Sequence, residues 1–203
     1  MRSKCLFSLM AVLVALEMLS CGGSSGNNDY DTFITEGETA FTSGDYSAAL
    51  AAFENARDAN PDQADAYSAV GWCYIQLNDV TAASNAFSDG ASKSNVPADL
   101  FAGWAFVLSA GKSYAASNTE IGAAIALEPD WEFTYGLGLN VSDLHVLKAS
   151  NHFVLGEFAQ SLAEVQLLDS GFNADVTTPA GLASLSQKIE NLKKQFEKLK
   201  LSS

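Results

Sequence analysis

Short turn-like segments recur along this chain at a fixed spacing. Residues 44–46 (Gly-Asp-Tyr) are followed 34 residues later by residues 78–80 (Asn-Asp-Val), and after another 34 by residues 112–114 (Lys-Ser-Tyr). A related triplet at 156–158 (Gly-Glu-Phe) comes 44 residues further on, which is one period plus ten residues. Self-similarity of this kind indicates stacked units that together bury a core which no single unit could bury.

Three units in unbroken phase, 30–63, 64–97 and 98–131, carry small and bulky apolar residues at matching positions. The second unit shows the pattern best, with Tyr67, Val70, Gly71, Tyr74, Ala83, Phe87 and Gly90. This spacing resembles the tetratricopeptide repeat, which has this period and consists of two helices. The resemblance implies an all-α superhelical solenoid of three to four helical hairpins. A small residue, such as Gly71 or Ala83, is expected where the two helices of a hairpin cross.

A weaker fourth unit, 142–175, follows an insertion at 132–141. The insertion carries Phe133 and Tyr135 directly after Trp131. Insertions between repeats commonly form a loop on one face, so these three aromatic residues are candidates for shaping a binding surface. The alternative is a wedge that repacks the stack.

A final helix is predicted over 178–201. Its apolar residues recur at helical spacings of three and four: Leu182, Leu185, Ile189, Leu192, Phe196 and Leu199. Thr178 is expected to cap the helix and Pro179 to begin it. A solenoid needs a terminal cap over its last apolar face, which is the role we predict; a dimeric coiled coil is the alternative.

The amino terminus resembles the signal peptide of a bacterial lipoprotein. Arg2 and Lys4 precede a 14-residue apolar run at 6–19, which is shorter than the roughly 20 residues that a membrane-spanning helix needs. Cys21 follows at a junction similar to a lipobox. The resemblance implies removal of residues 1–20 and a lipid on Cys21; cleavage without lipid is the alternative.

A Gly/Ser-rich tether at 21–29 would separate the lipid from the folded array. The protein is thus expected to be exported and anchored to a bacterial membrane. Gly22 directly after the cysteine resembles the sorting signal for the outer membrane, facing the periplasm.

Charge excludes one class of partner. The net charge is −13, and residues 21–187 hold four basic groups against 21 acidic ones. A body this acidic repels phosphate backbones, so no nucleic acid is expected as a partner. Asp31, Asp65, Asp99 and Asp143 recur near the starts of the first helices, where we interpret them as stabilising free N–H groups and the helix dipole.

In solenoids of this family, residues two, five, nine, twelve and thirteen of each unit line a concave groove. The resemblance therefore assigns five apolar residues to partner binding: Phe41, Trp72, Ile75, Phe106 and Phe153. The alternative is that the terminal helix or the insertion folds into the groove and these side chains belong to the core. The residues of the family's carboxylate-gripping subclass are missing from these positions.

Catalytic and metal-binding motifs are absent from the sequence. His145 and His152 share a helix face, but Asp143 is the one acid near them, and a metal site would need more ligands. We therefore predict no enzyme activity, no metal and no cofactor. The expected function is a protein–protein scaffold or adaptor for envelope proteins; the alternative is a carrier of a small apolar ligand in the aromatic groove.

Overall fold

The computed structural model of this protein describes residues 25–195. Within this range the chain forms nine α-helices and no named β-strand: α1 (Ser25–Thr42), α2 (Tyr46–Ala59), α3 (Ala64–Gln76), α4 (Val80–Gly90), α5 (Ala98–Ala110), α6 (Tyr114–Leu127), α7 (Val141–Val154), α8 (Phe158–Leu168) and α9 (Pro179–Gln195). The predicted all-α class is confirmed. No helix in the described range is both long and apolar enough to cross a membrane.

The helices stack as consecutive hairpins. α1 packs on α2, α3 on α4, α5 on α6 and α7 on α8, while α2–α3, α4–α5 and α6–α7 contacts join each hairpin to the next. One buried apolar cluster runs from Phe41 in α1 to Leu144 in α7. Such continuity is what a solenoid requires, because each hairpin buries its apolar face only against its neighbours.

Small residues lie where the helices of a hairpin cross, as predicted. A Cβ atom on Gly71 would lie 2.5 Å from the ring of Phe87, and one on Gly37 would lie 2.5 Å from the ring of Phe53. Both phenyl rings are fully buried. The glycine therefore makes room for an aromatic ring from the partner helix, and the same packing recurs one period later.

The recurring triplets are the turns inside the hairpins. Gly44 and Asn78 have φ of +84° and +61°, a left-handed conformation that ends the first helix. The next residue caps the second helix: Asp45 accepts a hydrogen bond from the Ala48 N–H at 3.1 Å, and Asp79 accepts one from Ala82 at 2.9 Å. The conserved spacing of the triplets thus reflects the geometry of helix termination and capping.

The last helix, α9, packs against α7 and α8. It buries Leu185, Ile189 and Leu192 in a second apolar cluster. Thr178 accepts a hydrogen bond from the Gly181 N–H at 3.1 Å, which is the geometry of an N-cap. α9 therefore covers the apolar face of the last hairpin rather than the surfaces of α1 and α3.

The first helix begins earlier than the sequence predicted. α1 starts at Ser25, so residues 25–29 of the predicted tether 21–29 are helical. Serine, asparagine and aspartate are compatible with the first turns of a helix, because their side chains can accept hydrogen bonds from free N–H groups. The predicted signal peptide 1–20 and Cys21 lie outside the described residues.

Candidate functional site on the face of the first helices

The insertion forms a compact loop that closes on itself. The Phe133 N–H donates to the Leu139 carbonyl at 2.9 Å, and the Val141 N–H donates to the Trp131 carbonyl at 2.8 Å. Gly136, with φ of +80°, lies in the bend between these pairs. α7 begins at Val141, one residue earlier than predicted.

The loop places its aromatic side chains on the surface formed by α1, α3, α5 and α7, which we call the first-helix face. The Phe133 ring lies 4.1 Å from the Trp72 ring and 6.0 Å from the Phe41 ring, measured between centroids. Tyr135 stacks on Phe53 at 5.7 Å and lies 5.5 Å from Phe41. The insertion therefore covers the part of the predicted groove around Phe41 and Trp72.

This packing corrects the predicted binding residues. Phe41, Trp72 and Ile75 are 2%, 0% and 2% exposed, so they belong to the core and cannot contact a partner. The physical reason is that burying the aromatic rings of the insertion against these side chains removes a large apolar area from water. Phe106 and Phe153, the other two predicted groove residues, are half-buried.

Phe106 packs edge-on against Trp72 at 6.2 Å, and Phe153 against Phe158 at 5.2 Å. They lie in separate apolar clusters, so no continuous apolar groove joins them. The insertion is also no wedge, because α6 and α7 pack directly on each other. Of the predicted insertion residues, Trp131 and Phe133 are buried and Tyr135 is half-buried.

Asp99 holds the insertion in place. Its carboxylate accepts hydrogen bonds from Trp131 Nε1 at 2.6 Å and from Thr134 Oγ1 at 2.7 Å. Its backbone carbonyl accepts a third bond from Trp72 Nε1 at 2.9 Å. Asp99 lies in the first turn of α5 as predicted, but its carboxylate joins the insertion to the array. The sequence did not predict this role, although the second position of a unit faces the groove in the family.

Part of the first-helix face remains open as a cleft of about 370 Å³. The acidic side chains of Asp31, Asp65 and Asp99 line it. Ile34 and Ser68, at the fifth positions of their units, also line it, while Tyr135 from the insertion forms one wall. Asp31 and Asp65 are exposed, whereas Ser68 is only 3% exposed. The cleft therefore has a rim of carboxylates and a buried hydroxyl inside it.

Burial, and after it the nearby negative charges, shift the pKa values of groups around the cleft. Burial, followed by the charges of Asp65 and Asp31, raises the pKa of Tyr30 to about 12. Burial and then the charge of Asp99 also raise the pKa of Asp65. Burial and nearby carboxylates, Glu38 first among them, raise the pKa of Tyr135. The cleft thus disfavours any further negative charge.

The polar residues of the fourth unit pair with one another. His145 Nδ1 and Lys148 Nζ each lie 2.7 Å from a carboxylate oxygen of Glu164. Burial acts to raise the pKa of Glu164, but hydrogen bonds from His145 and Lys148 outweigh it and the pKa is lowered. His152 contacts Glu157 at 2.5 Å. This arrangement joins α7 to the α8 region through one ion pair, Lys148–Glu164, and through contacts of both histidines with glutamate carboxylates.

Asp143 fulfils its predicted role at a helix start, since its carboxylate accepts the Asn140 N–H at 2.8 Å in a capping box. Within residues 25–195, no group of three or more histidine, cysteine, aspartate or glutamate residues is placed to hold a metal ion.

Comparisons with known proteins agree with this architecture. Residues 34–94 match the tetratricopeptide repeat family, whereas a comparison with curated proteins finds no match. The crystal structure of the MamA protein is 13% identical, with a TM-score of 0.62 over 87% of this chain and 98% of that one.

YrrB, described as a tetratricopeptide-repeat protein with an unusual peptide-binding site, is 13% identical with a TM-score of 0.62, over 86% of this chain and 95% of that one. PilW, described as a widely conserved type IV pilus biogenesis factor, is 13% identical with a TM-score of 0.58, over 84% of this chain and 78% of that one. At such identities the likeness shows the fold alone: the chain has the all-α superhelical fold of tetratricopeptide-repeat proteins.

Proposed function

We propose that this protein is a non-enzymatic scaffold that binds a segment of a partner protein on its first-helix face. The observation that carries the proposal is the open cleft between α1, α3 and the insertion, in a solenoid whose remaining groove is filled by its own side chains. YrrB has the same fold, and its description names a peptide-binding site. A solenoid presents repeated positions along one face, which suits an extended partner.

The alternative, a carrier of a small apolar ligand, loses its site. Phe41 and Trp72, two of the aromatic residues that would have lined the pocket, are covered by Tyr135 and Phe133. The open cleft that remains carries several carboxylates. An apolar molecule bound there would cover these carboxylates without pairing them, which costs free energy.

We further propose that the scaffold is anchored at a bacterial envelope membrane through a lipid on Cys21. The support is the lipobox-like junction after a 14-residue apolar run. The expected partners are therefore other envelope proteins. The mass of the mature protein from membranes tests the anchor: cleavage before Cys21 plus a diacylglyceride supports it, and cleavage without lipid overturns it. Cys21→Ala is the matched variant, which should release the protein from membranes.

Site-specific photocrosslinking tests the scaffold. A photoreactive amino acid at Ile34, which lines the cleft, should capture a defined envelope protein in cells. The same amino acid at Leu167, which is 67% exposed on α8, is the control and should not capture that protein. Equal capture at both positions, or none at Ile34, would remove the cleft as the binding site.

A further inference from the structure

The repeat places one acidic residue at the same position of three successive units. Asp31, Asp65 and Asp99 are each the second residue of a unit and are 34 residues apart. Equal positions of stacked units fall in a row on one face, and all three line the open cleft together with Glu38. The row of carboxylates is therefore built by the array itself.

A role at helix starts does not account for this row. Asp143 does cap its helix, but Asp31 lies well inside α1, which begins at Ser25. Asp99 uses both carboxylate oxygens to hold the insertion. Asp65 lies in the first turn of α3, where the helix dipole favours a carboxylate, yet its pKa is raised. Burial and the charge of Asp99 thus outweigh the dipole.

These charges lack a basic partner within the cleft. Among the described residues that line it, none is lysine, arginine or histidine. The ion pairs formed within residues 29–195 include neither Asp31, Asp65 nor Glu38. The donors that Asp99 binds, Trp131 and Thr134, are neutral and leave its charge in place. Like charges held close together attract a cation.

An independent observation inside the cleft points to a ligand that donates hydrogen bonds. Ser68 lies on α3 three residues after Asp65, is 3% exposed and lines the cleft. Its buried Oγ has no hydrogen-bond partner within the described structure. Buried hydroxyl groups in folded proteins are nearly always hydrogen-bonded, so a ligand N–H that reaches this oxygen would satisfy it.

The walls favour an organic cation over a metal ion. Ile34 and Tyr135 flank the carboxylates, and aromatic and apolar surfaces suit the methylene stem and the head of a basic side chain. A calcium ion would instead need six or more converging oxygen ligands. In the described part of the chain, no three acidic, histidine or cysteine residues are placed for a metal.

We propose that this cleft is a receptor for a basic side chain of the partner protein, arginine above all. Asp31 and Asp65 bind the charged head, Ser68 accepts one of its N–H groups, and Ile34 and Tyr135 contact the stem. Arginine fits best because its five N–H donors can serve the carboxylates and the hydroxyl together. The identity of the ligand as a protein segment rests on the proposed scaffold function.

A pair of short peptides tests the chemistry directly. An acetylated and amidated Gly-Ser-Arg-Ser-Gly peptide is titrated into the full-length protein in detergent and followed by NMR. The comparison peptide carries citrulline, which keeps the shape of arginine but has no charge. The arginine peptide should bind about tenfold more tightly, the effect of one charge-assisted hydrogen bond. Equal affinities would overturn the proposal.

Variants locate the binding to the cleft. Asp65→Asn, Asp31→Asn and Ser68→Ala should each weaken the arginine peptide by about threefold to tenfold. Asp89→Asn is the matched control, since Asp89 is an exposed acid on α4 and the change in net charge is the same. It should leave the affinity within about twofold. An equal loss in the control would mean that net charge alone attracts the peptide, and the cleft would be no receptor.

Helical content and melting temperature of each variant separate binding from folding. If Asp65→Asn fails to fold, the test rests on the exposed Asp31→Asn variant.

The experiments distinguish a failure of the basic-residue receptor from a failure of the scaffold. If the probe at Ile34 captures a partner that Asp31→Asn and Asp65→Asn bind normally, the scaffold stands and the basic-residue receptor falls. If the arginine peptide binds as expected but Ile34 captures no protein, the affinity of the cleft for arginine stands, while the scaffold and the protein segment as its ligand fall.

Discussion

One part of the first-helix face is buried under the insertion, and the other part stays open to solvent. At positions nine and twelve of the units, Trp72 and Phe41 are covered by the insertion and buried, and Ile75 is buried in the same cluster. At positions two and five, Asp65 and Ser68 stay beside an open cleft. The same helices carry both parts, so the difference comes from side-chain chemistry. A loop with aromatic side chains gains by covering apolar residues, whereas covering carboxylates without a cation would cost free energy.

The largest effect is expected from Phe133→Ala. This change removes a ring that is 3% exposed and packed on Trp72, so we expect a loss of about 3–5 kcal/mol in the free energy of unfolding. Denaturant unfolding measures the loss, and a red shift of tryptophan fluorescence would report that Trp72 has become accessible. Leu167→Ala, at a residue 67% exposed, is the control and should change stability by less than about 0.5 kcal/mol. If Phe133→Ala lowered the free energy of unfolding by no more than this control, the insertion would be only loosely packed on the array.

Asp99→Ala tests the hydrogen bonds that hold the insertion beside the open part of the first-helix face. The substitution leaves Trp131 Nε1 and Thr134 Oγ1 without their acceptor, and we expect it to destabilise the protein by about 1–3 kcal/mol. Hydrogen exchange should increase in residues 131–141 more than in α8. Unchanged exchange in the insertion would mean that its aromatic rings, rather than Asp99, fix its position.

Ser68→Ala is expected to act in the opposite direction. It removes a buried hydroxyl that has no partner in the described structure, so the unliganded protein should gain roughly 1 kcal/mol. Thermal unfolding measures the gain. If the variant is more stable and also binds the arginine peptide more weakly, Ser68 contributes to ligand binding at the expense of stability. A loss of stability would show that Ser68 has a structural partner.

The smallest effect is expected from Asp65→Asn. The residue Asp65 is exposed as a whole, but its carboxyl group is partly desolvated. This desolvation and the charge of Asp99 raise its pKa, so neutralising it should slightly stabilise the unliganded protein at neutral pH. A raised folded-state pKa means that the native state is favoured below the ordinary aspartate pKa and loses that advantage as the pH rises through the raised value. The difference between wild type and variant should therefore shrink on acidification. Urea unfolding at a series of pH values measures it, and a difference that grows on acidification would contradict the assignment.

The turns, caps and helix crossings of the repeats could be predicted from a few residues each. The triplets at 44–46 and 78–80 predicted turns because helix termination and capping depend on a few adjacent residues. Gly71 predicted a helix crossing because only a small residue leaves room for the Phe87 ring. The start of α1 was predicted less well, since helix ends depend on weak preferences that several residues satisfy equally.

The arrangement of the first-helix face could not be predicted in the same way. The family pattern places Trp72 on an open groove, and the sequence is equally compatible with an insertion that folds onto it. Deciding this requires the position of Phe133 relative to α1 and α3, and a hydrogen bond between Asp99 and Trp131 that spans 32 residues. Neither follows from the helical period.

The sequence by itself determined the period, the hairpins, the turns and the row of acids at 31, 65 and 99, because each depends on spacing within one repeat. Only the tertiary structure decided which half of the first-helix face is core and which is open. That outcome depends on the competition between burying the aromatic rings of the insertion and keeping the carboxylates of Asp31 and Asp65 in water, which is settled by contacts between residues far apart in the chain.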